Sequence, residues 1–208
     1  VKENQKSQIS VFIILAVLVI GIVIIYFSAK SSVFQKKTYV EAEIQPIYNF
    51  IQNCIHKTSE NAVYNIGETG GYFFAPNLST DNHIAYYFYN KENLMPKKEE
   101  IEQELSNYLS NMLFFCTKNF EDFTDYQVKQ GKIKTKTRIE DEKVVFKIEY
   151  PLSLKKGENS YSLENFDLEI PVRLGVIYNV IEKIIQEQML VKESICINCI
   201  AELAEEND

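Results

Sequence analysis

Four cysteines are the residues of this chain best equipped for covalent chemistry. Cys54 lies in an apolar-periodic stretch and Cys116 near the end of a second one, while Cys196-Ile197-Asn198-Cys199 stands close to the C-terminus. Four cysteines allow three pairings. In an oxidising compartment they form structural disulfides, and in a reducing one four thiolates could hold zinc. A redox CxxC belongs at a helix N-terminus after a strand, where the thiolate is stabilised; this one lies in a polar tail. Joining Cys54 to Cys116 would staple two neighbouring helices and leave Cys196 and Cys199 to close on each other. We therefore expect those two structural disulfides, with no metal and no cofactor.

The remaining polar groups form no catalytic constellation. His56 and His83 belong to no HExxH or GxSxG arrangement and make no ligand pair at helical spacing. Gly70-Gly71 lacks the further glycines and the Lys-Ser/Thr of a phosphate loop, so it reads as turn geometry. Glu121, Asp122 and Asp125 lack the glycine and spacing of a calcium loop. Lys132, Lys134, Lys136 and Arg138 line one face of a strand, but Glu149, Asp167 and Glu169 answer them on the following strands, which fits a solvated charged face. No catalytic residue is expected, and the reading is not an enzyme. Asn77-Leu78-Ser79 is a sequon for glycosylation at Asn77 if the domain is exported.

These residues are positioned by two kinds of element. Ile44, Ile47, Ile51, Ile55, Ala62 and Ile66 recur at three- and four-residue spacing, which predicts an amphipathic helix with Pro46 in its first turn and Gly67 as its stop. Pro96 opens a second helix carrying Ile101, Leu105, Tyr108, Leu109, Met112 and Leu113 on one side and ending near Cys116 to Phe120. Between the two, Ile84 to Tyr89 reads as a buried strand. From Val128 to Val172 the period changes to two, predicting an antiparallel meander. Phe146 and Ile148 belong to its apolar face, and a bulge near Glu164 or Asn165 reconciles its last strand. Leu174, Ile177, Ile181, Ile184 and Ile185 mark a third helix, expected to cover that apolar face. Helices and a meander segregated along the chain give an α+β class.

Ahead of this domain, Ile9–Phe27 is an uninterrupted apolar run. At the helical rise it would reach roughly 28 Å, about the thickness of a hydrocarbon core. The expected organisation is a basic tail over 1–8, a transmembrane or filament-core helix over 9–27, a juxtamembrane connection over 28–43, and an extracytoplasmic α+β domain over 44–208. Lys2 and Lys6 are outnumbered by Lys30, Lys36 and Lys37 across the run, but the cysteines and the sequon favour an outside domain, and long domains translocate largely regardless of flanking charge.

The 208 residues suffice for one ordinary domain beyond the run. Setting aside Lys2, Lys6, Lys30 and Glu3, the 22 basic and 29 acidic residues leave 19 against 28 from Ser31 to Asp208, a net charge of −9. So acidic a domain is a poor partner for nucleic acid or anionic lipid surfaces.

The stretch Lys6-Ser7-Gln8-Ile9-Ser10-Val11-Phe12 resembles the class III signal segment of archaeal type IV pilin-like proteins, over about 25 residues. Ser7 stands where a Gly is more usual, and Phe12 where many pilins have a Glu. The resemblance implies processing between Ser7 and Gln8, and a freed helix that stays in membrane lipid or packs into a filament as a homo-oligomer. Gly70-Gly71-Tyr72, Tyr150-Pro151-Leu152 and Ile170-Pro171-Val172-Arg173-Leu174 are similar to a group of single-pass archaeal surface proteins. Together these features lead us to expect a non-catalytic cell-surface protein of structural or adhesive role, pilin-like, or else a monomeric membrane-anchored binding module.

Overall fold

A computed structural model describes residues 19–20, 41–191 and 197–206. The chain divides into two units, Val1–Val40 and Glu41–Asp208. Of the first unit only Val19 and Ile20 are described; they are helical and exposed.

This corrects the fold class expected from sequence. The second unit is α+β, with four helices and antiparallel sheets. Among the described residues no helix is long and apolar enough to cross a membrane. The physical reason is that these helices are amphipathic. Even the Leu-, Val- and Ile-rich Leu174–Leu190 carries Glu182, Lys183 and Glu187 within its 17 residues. The remainder of Ile9–Phe27, on which the long N-terminal helix was expected, lies outside the described residues.

Helix α1 spans Gln45–Glu68, with a proline in its first turn. It buries Ile47, Ile51, Cys54, Ile55, Ala62 and Ile66, one stripe at helical spacing. Gly67 does not stop it. The end is made by the next two glycines: Gly70 takes a left-handed φ of 72°, the Gly71 N–H donates to Ile66 O at 2.7 Å, and the Gly70 N–H donates to Gly67 O at 3.4 Å. These are the paired bonds of a Schellman stop, which needs a residue with no Cβ cost at the turning point.

An irregular segment follows, holding the short strands β1 (Phe88–Tyr89) and β2 (Glu92–Asn93). Here the expected buried strand over Ile84–Tyr89 is not found. Ala85 bridges to Ser79 and is buried, but Ile84, Tyr86 and Tyr89 are exposed. Turn residues on both sides, Asp81-Asn82-His83 and Asn90-Lys91, keep the run too short to span a core; His83, Asn90 and Lys91 all have positive φ.

Helix α2 spans Lys98–Thr117 and buries Ile101, Leu105, Tyr108, Leu109 and Leu113. Glu100 reaches back to accept from the Lys97 N–H at 2.8 Å, and Glu99 and Glu100 sit in the first turn, where the helix dipole favours them. The helix leaves through Lys118, Asn119 and Phe120, three successive residues with positive φ. Such a run is costly for L-residues. It is held by Phe120, which is buried against Phe50 and Phe123.

The sheet is organised around β5 (Lys143–Lys156). On one side β6 (Asn159–Pro171) pairs along its length; on the other, β4 (Lys134–Ile139) pairs with its first half and β3 (Gln127–Gln130) with its second. Strands β3 and β4 thus run in the same direction on one edge, interrupted at 131–133. Opposite that interruption the β5–β6 register shifts between Glu149↔Asn165 and Leu152↔Leu163, so Tyr150 and Pro151 face Glu164 alone. A proline cannot donate to a ladder, and here both neighbouring ladders are already broken. A Cβ on Gly131 would come within 3.0 Å of the Pro151 ring, so the glycine admits the proline. The bulge is where it was expected, opposite Glu164, but the extra residue belongs to β5.

Every second residue of β5 from Val144 to Leu154 is buried, Phe146 and Ile148 among them, as the alternation predicts. The cover of this face is not the third helix, however. Helix α3 (Leu174–Leu190) buries only Gly175 and Ile185. Its first turn is pressed onto the β4–β5 turn, where a Cβ on Gly175 would lie 2.5 Å from Glu140 O. The apolar face is covered by α1 and α2: Tyr48 stacks on Phe166 at 6.0 Å, and Ser106 and Ser110 of α2 meet Thr137 and Thr135 of β4 at 2.9 and 3.0 Å. The α1–α2 pair offers this face two apolar stripes, each on a longer helix than α3. Helix α4 (Ile197–Glu206) ends the described chain.

The left-handed turn after α2 yields a test. Lys118 has φ 45° and ψ 42°, a conformation that glycine adopts without a Cβ penalty. We predict that Lys118→Gly raises stability by about 1 kcal/mol in urea unfolding. A destabilised variant would show that the Lys118 side chain contributes more than its backbone costs.

Candidate functional surfaces

Cys54 of α1 and Cys116 of α2 form the expected disulfide, with Cα atoms 5.6 Å apart. Cys54 is buried and Cys116 partly so, and Asn65 Nδ2 donates to Tyr108 Oη at 3.4 Å further along the pair. The two contacts place the helices antiparallel. Cys196, and the side chain of Cys199, lie outside the described residues, as do Ser7 and Gln8.

Two ends of α1 carry distinct polar and aromatic clusters. At its start, Glu43 is clamped by the β5–β6 hairpin. The Tyr161 hydroxyl donates to the Glu43 carboxylate, Asn159 Nδ2 donates to it at 3.3 Å, and Lys156 Nζ stands 3.8 Å away. The Tyr126 hydroxyl donates to the Glu43 backbone carbonyl at 2.6 Å, while the Lys156 ammonium lies 4.9 Å from the Tyr126 ring centre. The Tyr161 bond holds the Glu43 carboxyl below its usual range, with help from Asn159 and Lys156. In turn the carboxylate pushes the Tyr161 phenol up to about 12. Nothing in the sequence signals this clamp, because its members are 83 to 118 residues from Glu43.

At the other end, about 36 Å along a 24-residue helix, the irregular segment gathers aromatic side chains. An inner set is packed. Phe73 meets Tyr108 edge-on at 4.8 Å, and its N–H donates to Glu104 Oε2 at 3.0 Å. Tyr87 is pushed up to about 12, chiefly by burial. The Tyr178 hydroxyl of α3 donates to Pro96 O at 3.3 Å, with Lys98 Nζ 5.0 Å from the Tyr178 ring centre. An outer set faces solvent: Phe74 is 79% exposed, Tyr89 49% and Tyr86 39%. The aromatic run divides because its short loop strands can bury only one side. Asn77 of the sequon is exposed on the same segment.

The other face of the sheet carries charge. Lys134 pairs with Glu149 and Lys143 with Glu169, each at 2.8 Å, while Lys136 stands directly across from Lys147. Lys132, Lys134, Lys136 and Arg138 are all exposed, beside a shallow depression that also involves Asn165 and Asp167. Exposed ion pairs of this kind contribute about 0 to 1 kcal/mol each. His56 sits beside Glu60 on α1, Nδ1 to Oε2 3.3 Å, and His83 is in an exposed turn. Glu121, Asp122 and Asp125 lie in an exposed connection, and among the described residues no group of three or more His, Cys, Asp or Glu could hold a metal ion.

No protein-family model, no curated protein and no solved structure matches this chain.

The Glu43 clamp has a pH signature. A lowered carboxyl pKa gives stability that is present above the usual carboxylate range and lost as pH falls through the folded value. A raised phenol pKa gives stability present below the usual value near 10 and lost as pH climbs toward about 12. Tyr161→Phe should therefore lower the urea midpoint at neutral pH, and the difference from wild type should close in acid and again in strong alkali. No difference at any pH would mean that the ring only packs, and a difference independent of pH that the hydroxyl acts without the Glu43 charge.

Proposed function

We propose that the protein is a non-catalytic, extracytoplasmic surface protein that acts by binding and adhesion through the aromatic end of its helix pair. The carrying observation is the outer set Phe74, Tyr86 and Tyr89, exposed at the end of α1 opposite the clamped start of the domain. Aromatic side chains supply large contact area at little entropic cost and are over-represented among residues that dominate binding energy. The disulfide supports an oxidising location, since such bonds are rare in reducing compartments. A pilin-like assembly through the N-terminal apolar segment draws on the Lys6 to Phe12 resemblance and on a rod continuous with α1, whose first part lies outside the described residues, and the exposed aromatic loop favours the binding-module version.

The test is a triple variant, Phe74→Ser, Tyr86→Ser and Tyr89→Ser, compared with wild type for attachment of the purified protein to cell envelopes. Because these side chains are exposed, thermal stability should be nearly unchanged, while attachment should fall at least about tenfold, the loss of roughly 1.4 kcal/mol. Undiminished attachment would refute this surface. Labelling of intact cells with a membrane-impermeant amine reagent checks location separately, and a protected domain would refute that part.

A further inference from the structure

The two outer edges of the four-stranded sheet are treated differently. The β4 edge is masked by α2: the Thr137 N–H donates to Ser106 Oγ at 3.0 Å and the Ile139 N–H donates to Glu102 Oε1 at 2.8 Å. Strand β6 pairs with β5 from Asn159 to Pro171, and among the described residues no hydrogen bond reaches its other edge. Thirteen residues is a long edge, and an edge of unpaired N–H and C=O groups is a template for another strand.

The side chains decide which strand. Between Asn159 and Pro171 β6 holds Glu164, Asp167 and Glu169 and no basic residue. After the bulge, Asp167 and Glu169 stand exposed on the charged face of the sheet, while Phe166, Leu168 and Ile170 line the other side. Phe166 and Ile170 are buried, and Leu168 is only half-buried, an apolar ledge at the rim. A second copy pairing antiparallel through this stretch would bring Asp167 and Glu169 against their own counterparts, and like charges across strands are destabilising. A basic strand would meet them favourably, as Lys143 already meets Glu169 and Lys134 meets Glu149 within the sheet. The like charges that exclude self-association therefore select an opposite partner.

We propose that Asn165–Ile170 of β6 is a strand-addition site for an extended segment of a partner protein in which Lys or Arg alternates with Val, Ile or Leu. The main-chain groups of the edge bind the added strand, Asp167 and Glu169 choose its basic positions, and Leu168 meets its apolar ones. This site is separate from the aromatic end and does not rest on it.

The experiment uses the full chain and three capped eight-residue peptides: alternating Lys-Val, alternating Glu-Val, and a block of four Lys followed by four Val. Amide hydrogen exchange is followed across β6. The alternating Lys-Val peptide should slow exchange within residues 165–170 at least tenfold and leave the aromatic segment unchanged. An Asp167→Lys, Glu169→Lys variant, with unaltered circular dichroism, should lose that protection. Equal protection by the Glu-Val or block peptide, no protection of wild type by any peptide, or protection by self-association detected in sedimentation would each overturn the proposal.

Discussion

The bond between Cys54 and Cys116 is the constraint on which the rest of the domain depends. It joins α1 to the last turn of α2 across a sequence separation of 62, and the covalent ring it closes contains the whole irregular segment between the helices. That segment runs for nearly thirty residues with only two strands of two residues each. Loops of such length are uncommon in compact domains unless they serve a function. Closing the ring removes loop entropy from the unfolded chain, so the segment can be held without forming much regular structure of its own. It can then divide its aromatic side chains, with Phe73 and Tyr87 inward and Phe74, Tyr86 and Tyr89 outward.

The stapled helices also decide the sheet. Their apolar stripes accept the alternate residues of β5, and α2 masks the edge of β4 with Ser106 and Glu102. What remains uncovered follows from that docking: the charged face, the β6 edge, and one side of α3. The Tyr150-Pro151 step is the other local constraint. It breaks the ladders on both sides of β5 at one level, and Tyr150 stays buried there because its hydroxyl donates to the Gln130 side chain. At the same level Gly131 gives the proline room.

Much of this architecture was legible in the sequence, because it is encoded by short-range periodicity. The Ile47-Ile51-Ile55 stripe, the Pro96 start of α2 and the alternation through Phe146 and Ile148 follow from local pattern, and the pairing of Cys54 with Cys116 was expected because it joins two neighbouring helices, although four cysteines alone leave three pairings open. The misreadings share a different cause. Whether Ile84–Tyr89 is core or surface, and whether α3 covers the sheet, depends on which apolar face wins a competition for the same site, and a single segment carries no record of its rivals. Of the apolar run Ile9–Phe27 only Val19 and Ile20 are among the described residues, so the helix expected there lies outside them. The Glu43 clamp and the open β6 edge were invisible for a simpler reason: each is a juxtaposition of distant residues, or the lack of one.

The helix pair, covalently closed, holds the domain together. Equilibrium urea unfolding of wild type and of a Cys54→Ala, Cys116→Ala variant tests it most directly. For a ring of this size the chain-entropy model predicts a loss of about 4 kcal/mol, with the far-ultraviolet spectrum of the folded variant retained. A loss below about 1 kcal/mol would contradict the account, because the helix pair would then stand on its packing alone.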